Sequence, residues 1–234
     1  MSEKETWIER VKETIDVDSW NRFEARYTQV LELDDGKKSS NVETRFETNY
    51  SKYFDLDTWL NYHVGVALIL GLNKEAKPLS ILDMGCGSGL LCKVAMAMGH
   101  TASGLDVSSP MYAGMAKVLD VPIVVKEIEA FTPLGADLGQ YDMMTATSTK
   151  FDQPEFRFNG KPNWGVAEWT FFLKDCANHL NDGGRVYIKL NKQAHGGLYM
   201  DDATEAFFKQ TAFSVDEPRA GHLFAKADLE ALEV

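Results

Sequence analysis

A glycine-rich loop that follows an apolar run is the part of the sequence best suited to chemistry: Ser80-Ile-Leu-Asp-Met-Gly-Cys-Gly-Ser-Gly-Leu90. Its three glycines alternate with other residues. Glycine permits backbone angles that other residues avoid, and it lets a ligand approach the main chain closely. The helix expected after them offers unpaired N–H groups and the positive end of a dipole. We therefore predict a ligand-binding loop formed by Gly85, Cys86, Gly87 and Gly89.

Two positions around this loop argue against a nicotinamide dinucleotide. The dinucleotide pattern GxGxxG has its third glycine, or an alanine, where this chain has Leu90. Asp83 stands two residues before the first glycine, where a carboxylate would repel a pyrophosphate but can pair with an ammonium group. The loop thus favours a ligand that carries an amino group.

A second acidic residue, Asp106, ends the next predicted strand. An acid at the tip of the second strand can accept both ribose hydroxyls of an adenosine, as in the dinucleotide folds. Val107 and Met111 follow it at positions from which they can touch the faces of an adenine. Together with the glycine loop, Asp106 therefore predicts a ligand that contains adenosine.

The pattern DxGxGxG resembles motif I of the class I S-adenosylmethionine (SAM)-dependent methyltransferases, and the resemblance covers about residues 79–227. It includes Asp182-Gly-Gly-Arg-Val-Tyr-Ile-Lys, which matches the common turn and fifth strand. The resemblance implies SAM as the cofactor, with its methionine part on the loop and Asp83 near its amino group. In the family an acidic residue after the third strand takes the adenine amino group, and a neighbouring N–H takes a ring nitrogen. Here Glu127 with Ile128 is preferred, and Glu129 is the alternative.

The tip of the fourth strand is where the family often places residues that touch the acceptor. Hydroxyls stand there at Thr145, Thr147 and Ser148; they either bind the methionine end of SAM or an acceptor, or cap the following helix. We take Thr145 as a cofactor-binding candidate. The Asn/Asp-Pro-Pro-Tyr type motif of members that methylate nucleic-acid bases or protein amides does not occur. The aromatic-rich loop 150–164 and the N-terminal helices are expected to form the acceptor-side wall.

Methyl transfer from a sulfonium needs mainly proximity, alignment and the removal of water, and a base only if the nucleophile is poorly ionised. His63 and His195 are the candidate bases. Tyr53 is the candidate for an aromatic face that closes over SAM, because such a face attracts a cation. The histidines lack the spacing of a metal site, so no metal is expected.

The charge balance sets the expected partners. Lys and Arg total 24 against 35 Asp and Glu, which gives a formal charge of -11. An acidic surface repels nucleic acid and anionic lipid, so we expect a small-molecule acceptor and neither nucleic acid nor membrane. Three cysteines without a CxxC pair and a polar N-terminus without a secretory signal predict a cytoplasmic protein. A monomer or a homodimer is expected.

Short apolar runs alternate with helical patterns from Leu79 onward, which is typical of an α/β fold. We predict a Rossmann-like sheet of seven mostly parallel strands in the order 3-2-1-4-5-7-6, the last antiparallel, flanked by helices. Residues 1–72 are predicted to form a helical lid, and residues 73–234 the SAM-binding domain. The predicted strands are 80–85, 101–107, 122–128, 141–148, 185–191, 212–216 and 222–227, and the predicted helices in this part are 89–99, 110–120, 165–181 and 198–211. The stretch 130–140 is left unassigned.

The sequence leaves three functions open. The leading one is a methyltransferase that uses an O- or N-nucleophile of a small, apolar or aromatic acceptor and yields S-adenosylhomocysteine. The second is a cyclase of the same fold, in which the amine of SAM attacks its own γ-carbon to give a small cyclic amino acid of the azetidine-2-carboxylate type and methylthioadenosine. The third is a SAM-binding regulator without catalysis.

Overall fold

A computed structural model describes residues 1–35, 51–149, 151, 163–190, 200–216 and 221–233. The strands are β1 Ser80–Met84, β2 Thr101–Asp106, β3 Ile123–Val125, β4 Tyr141–Thr149, β5 Leu180–Leu190, β6 Ser214–Asp216 and β7 Gly221–Ala225. The helices are α1 Glu3–Lys12, α2 Val17–Asp35, α3 Ser51–Phe54, α4 Leu56–Ile69, α5 Leu90–Ala97, α6 Pro110–Val118, α7 Val166–Asn178, α8 Asp202–Thr211 and α9 Lys226–Glu230.

The strands form one sheet in the order β3-β2-β1-β4-β5-β7-β6. The first five strands of the chain pair in parallel, whereas β7 is antiparallel to both β5 and β6. The predicted Rossmann-like α/β sheet with flanking helices is confirmed. Because parallel strands point the same way, the residues that end β1, β2, β4 and β5 meet along one edge, which is where ligands bind in such sheets.

Two predicted strands differ from the observed ones by three or more residues at one end. β3 stops at Val125 rather than at 128. β5 begins at Leu180, before the turn-like Asp-Gly-Gly, because Leu180 pairs with Tyr141 and the ladder resumes after a register shift at Arg185 opposite Met143. The unassigned stretch 130–140 contains one short 3₁₀ turn at Ala136–Leu138.

Helices cover both faces of the sheet and enclose two apolar cores. The N-terminal helices, together with α5 and α6, pack on one face, where Val11, Trp20 and Leu60 lie in the same buried cluster as Ile81 of β1. On the other face, α7, α8 and α9 bury a second cluster that includes Trp169. The boundary at residues 72 and 73 remains a prediction, but the N-terminal helices share a core with the sheet.

No helix in the described parts of the chain is both long enough and apolar enough to cross a membrane.

The contact between α2 and α6 allows a direct test of how the N-terminal helices dock. A Cβ atom added at Gly114 of α6 would lie 2.2 Å from Cζ of Phe23 on α2. Gly114→Ala should therefore lower the free energy of unfolding by about 1–3 kcal/mol in urea denaturation, as overpacking does. In an exposed helix the same change would stabilise by about 1 kcal/mol.

The matched control repeats Gly114→Ala in a Phe23→Leu background, where the smaller side chain leaves room. The second substitution should then cost much less than it does in the wild-type protein. A Gly114→Ala variant that is more stable than wild type would contradict the docking of α2 on α6.

Candidate active site

The glycine loop leaves β1 in a conformation that only glycine adopts easily. Gly85, Gly87 and Gly89 have φ angles of 67°, 54° and 80°. The N–H of Gly85 donates to the carbonyl of Leu105 at 2.7 Å, which fixes the start of the loop against β2. α5 begins directly after Gly89, so its free N–H groups lie at the base of the loop. The predicted strand–loop–helix arrangement is present.

Asp106 joins the loop to the tip of β2. Its carboxylate accepts the N–H of Gly87 at 2.5 Å and that of Val107 at 2.7 Å. Burial raises the pKa of Asp106, while these two hydrogen bonds act in the opposite direction. The carboxylate lines a cleft of about 480 Å³ together with Gly87, Val107, Tyr112 and Val125. Asp106 therefore lies at the edge where ribose binding was predicted.

Asp83 is more deeply placed than Asp106. It is 2% exposed, and its carboxylate accepts the hydroxyl of Thr145 at 2.7 Å. Burial raises the pKa of Asp83 to about 7; the Thr145 hydrogen bond opposes this rise, and the charge of Asp106 adds to it. The hydroxyl proton of Thr145 is thus already donated to Asp83 inside the sheet. The prediction that Thr145 binds the cofactor therefore requires its hydroxyl oxygen to accept a hydrogen bond from the ligand. Asp83 is an acid that titrates near neutral pH.

The chain after β3 returns to the same edge. The N–H of Lys126 donates to the carbonyl of Asp106 at 2.8 Å, which holds the following segment against the tip of β2. Glu127 and Glu129 are exposed there, and Ile128 packs on the second core. Val107 is 44% exposed, whereas Met111 packs against the first core. The adenine-binding roles of these residues remain predictions.

An aromatic group covers the loop on the side of the N-terminal helices. Tyr53 stacks on Trp59, with ring centroids 6.1 Å apart, and lies nearly perpendicular to the ring of Tyr112, with centroids 5.8 Å apart. Tyr112 in turn lies 3.7 Å from the position of a Cβ at Gly87. The indole N–H of Trp59 donates to the carbonyl of Lys52 at 2.7 Å, and this bond fixes α3 against α4. Tyr53 is therefore held beside the glycine loop.

Tyr112 and Tyr62 are not among the predicted site residues, although both follow the helical periodicity of apolar stretches. The hydroxyl of Tyr62 lies 2.9 Å from that of Ser148, at the tip of β4. Ser148 has a φ of 60°, which is unusual for a residue other than glycine and is typical of strained functional positions. The neighbouring Thr149 donates to the carbonyl of Met84 at 2.9 Å, so the β4 tip lies against the glycine loop.

Of the two predicted bases, His63 is buried and His195 lies outside the described residues. The ring of His63 contacts those of Trp59 and Tyr62. Burial and, to a smaller extent, the charge of Lys189 lower the pKa of His63 to about 3. The imidazole is therefore neutral at neutral pH and holds a proton only weakly, which makes it a poor general base in this conformation.

The cysteines offer no nucleophile in this structure. Cys86, Cys92 and Cys176 are buried free thiols. Burial raises the pKa of Cys86, and the charges of Asp83 and Asp106 raise it further. Within the described ranges, His, Cys, Asp and Glu side chains form no group of three that could hold a metal ion.

No family model matches the chain. Among curated proteins, the chain is 28% identical over 121 residues to a ubiquinone biosynthesis O-methyltransferase of Rhizobium rhizogenes. The matched region covers 49% of this chain and 43% of that protein. It is 29% identical over 122 residues to the protein of the same name from Rhizobium leguminosarum, with 49% and 42% covered. The chain thus matches less than half the length of these relatives.

Solved structures with a similar arrangement include CalS10, an amino pentose methyltransferase of Micromonospora echinaspora bound to SAM, at 20% identity. The match between the two structures has a TM-score of 0.42 and covers 59% of this chain and 53% of CalS10. DesVI of Streptomyces venezuelae has a TM-score of 0.45 at 17% identity, with 63% and 60% covered.

The strand order, the glycine loop and the names of the curated relatives agree with the predicted resemblance to the class I SAM-dependent methyltransferases. SAM as the cofactor agrees with this class. The curated relatives that the sequence matches are named O-methyltransferases, and each is more than twice as long as the matched segment.

The raised pKa of Asp83 predicts a pH-dependent affinity for S-adenosylhomocysteine. An ammonium group pairs with the carboxylate form, so the affinity should increase as the pH rises through about 7 and level off above it. Isothermal titration calorimetry between pH 5.5 and 8.5 measures this; these two pH values bracket the transition at roughly equal distance. Asp83→Asn should bind with little pH dependence, and an equally steep profile in that variant would contradict the pairing.

The position of Asp106 predicts that Asp106→Asn weakens binding of S-adenosylhomocysteine by about 10- to 100-fold, because a hydrogen bond to a charged group contributes about 1.5–3 kcal/mol. The asparagine can still accept the N–H of Gly87, so the loop should keep its conformation. Asp202→Asn, an exposed position in the first turn of α8, is the matched control and should bind as wild type does. Unchanged affinity in Asp106→Asn would remove Asp106 from the ribose site.

Proposed function

We propose that the protein is a SAM-dependent methyltransferase that acts on an oxygen or nitrogen of a small, apolar or aromatic acceptor. The observation that carries the proposal is the hydrogen bond of Gly87 to Asp106. It joins the glycine loop to a partly accessible carboxylate at the tip of β2, and this combination suits an adenosine with an amino-acid chain. The sequence relatives support oxygen as the attacked atom.

In this proposal the chain binds and orients the two reactants. Asp106 would hold the ribose, with Val107 and Ile128 beside the adenine and Glu127 or Glu129 at its amino group. The glycine loop and Asp83 would hold the methionine end. Bound SAM supplies a methyl group on a sulfonium, which is already a good leaving group.

The aromatic group has two roles in the proposal. The stacked rings of Tyr53 and Trp59 exclude water from the edge where the reactants meet, which aids alignment and desolvation. A ring face of Tyr53 would also attract the sulfonium charge. An acceptor hydroxyl or amine would lose its proton as the bond to the methyl carbon forms. Because the pKa of His63 is about 3, that proton would pass to water or to the acceptor's own basic group rather than to His63.

The test incubates the purified full chain with SAM, first alone and then with a panel of small hydroxylated and aminated aromatic compounds, and follows all adenosine products by mass spectrometry. We expect S-adenosylhomocysteine to form only when an acceptor is present, together with a product heavier by one methylene. Asp106→Asn under the same conditions should form much less.

Three results would contradict the proposal. Methylthioadenosine formed from SAM alone, with a matching cyclic amino acid, would identify the cyclase. Tight SAM binding without turnover across the whole panel would favour the regulator. Failure of the protein to bind SAM or S-adenosylhomocysteine would exclude SAM as its cofactor.

A further inference from the structure

A lysine at the carboxyl end of β5 has no acidic partner in the part of the chain that the structure describes. Lys189 stands opposite Thr147 of β4 in the ladder and is partly buried beneath α4. Its ammonium donates to the hydroxyl of Tyr62 at 2.7 Å and lies 4.2 Å from the centre of that ring. Among the residues that the structure describes, no Asp or Glu forms an ion pair with Lys189.

Three donors meet at this point. An ammonium has three N–H groups, and only one is used by Tyr62. The oxygen of Tyr62 accepts from Lys189, so the phenol proton faces Ser148 or a ligand, and the Ser148 hydroxyl lies 2.9 Å away. A partly buried ammonium without a counter-charge is costly, and an anion that enters the site would remove that cost.

The site suits an ion of a single negative charge. The ammonium and the hydroxyl pair of Tyr62 and Ser148, in which one proton already lies between the two oxygens, match the two oxygens of a carboxylate. A doubly charged phosphate, in contrast, would meet one cation in a chain of net charge -11. The surrounding side chains are aromatic: the ring of Tyr62 lies nearly perpendicular to those of Trp59 and His63, with centroids 5.9 and 4.9 Å apart. An aromatic carboxylate therefore fits both the charge and the walls.

The location favours the acceptor over the cofactor as the source of this carboxylate. Asp106 marks the ribose end on β2, and β5 is three strands away in the order β2-β1-β4-β5. Adjacent strands lie about 4.8 Å apart, so Lys189 is roughly 14 Å across the sheet from β2. The β4 tip with Ser148 and Thr149 stands between them, against the glycine loop.

We propose that Lys189, Tyr62 and Ser148 bind a carboxylate of the methyl acceptor and so fix the acceptor beside the glycine loop. This inference rests on the proposed function and narrows its substrate class to small aromatic acids. Lys189 binds and positions the acceptor in this scheme; it takes no proton from the attacking atom.

The test uses the full chain saturated with S-adenosylhomocysteine, with benzoate as the probe and benzamide as its neutral analogue, in isothermal titration calorimetry. Wild type should bind benzoate about 10-fold or more tightly than benzamide, which is the preference expected of a charge-assisted contact. Lys189→Met should abolish this preference, and Lys189→Arg should keep part of it. Tyr62→Phe keeps the ring and should reduce benzoate affinity by a smaller factor.

Lys209→Met is the matched control, because Lys209 lies on the exposed side of α8 in a pair with Glu205. It should leave both probes unaffected. Equal affinity for benzoate and benzamide in the wild type would overturn the inference. So would absence of saturable benzoate binding to protein that binds S-adenosylhomocysteine normally.

A second pair of ligands separates the two sources of a carboxylate. If Lys189→Met weakens S-adenosylhomocysteine but not methylthioadenosine, which lacks the amino-acid group, the carboxylate belongs to the cofactor and the acceptor assignment is wrong. Unchanged binding of both supports the acceptor. If S-adenosylhomocysteine does not bind even to wild type, the proposed function itself fails, before any probe is added.

Discussion

The hydrogen bond from Gly87 to Asp106 is the constraint on which the described site depends. Together with the bond from Gly85 to Leu105 it ties the glycine loop to the tip of β2, and it does so through a backbone N–H that is available because Gly87 has a positive φ. A side chain with a Cβ would be strained in that conformation. The loop therefore has its shape before any ligand arrives, and binding does not have to supply the free energy to order it.

The N-terminal helices supply the aromatic side chains that cover the glycine loop. The side chain of Asp55 begins α4 by accepting the N–H of Thr58 at 3.0 Å, and the indole of Trp20 donates to the carbonyl of Phe54 at 3.1 Å. These bonds set the angle at which Tyr53 and Tyr62 reach the edge of the sheet. The contact of α2 with α3 and the capped start of α4 thus set the distance between the aromatic group and the glycine loop, so this part of the chain belongs to the site as much as the sheet does.

Much of the fold could be predicted because its signals are local. Glycines, an acid at a strand tip and alternating apolar runs are all visible over a few residues, and Asp83 and Asp106 are found where those signals indicated. The buried link from Thr145 to Asp83 could not be predicted, because it joins positions 62 residues apart. For the same reason the contacts of Lys189 with Tyr62, 127 residues away, required the three-dimensional fold.

The edge strand β3 has a consequence for how copies of this chain meet in solution. Val124 and Val125 are 42% and 66% exposed on it, and exposed apolar edges can recruit a strand from another molecule. With only three residues, β3 offers too few free N–H and C=O groups to hold a second chain in register. The short length of β3 thus hinders edge-to-edge aggregation at this side of the sheet. In other proteins, lysines, prolines or β-bulges on the edge strand have the same effect.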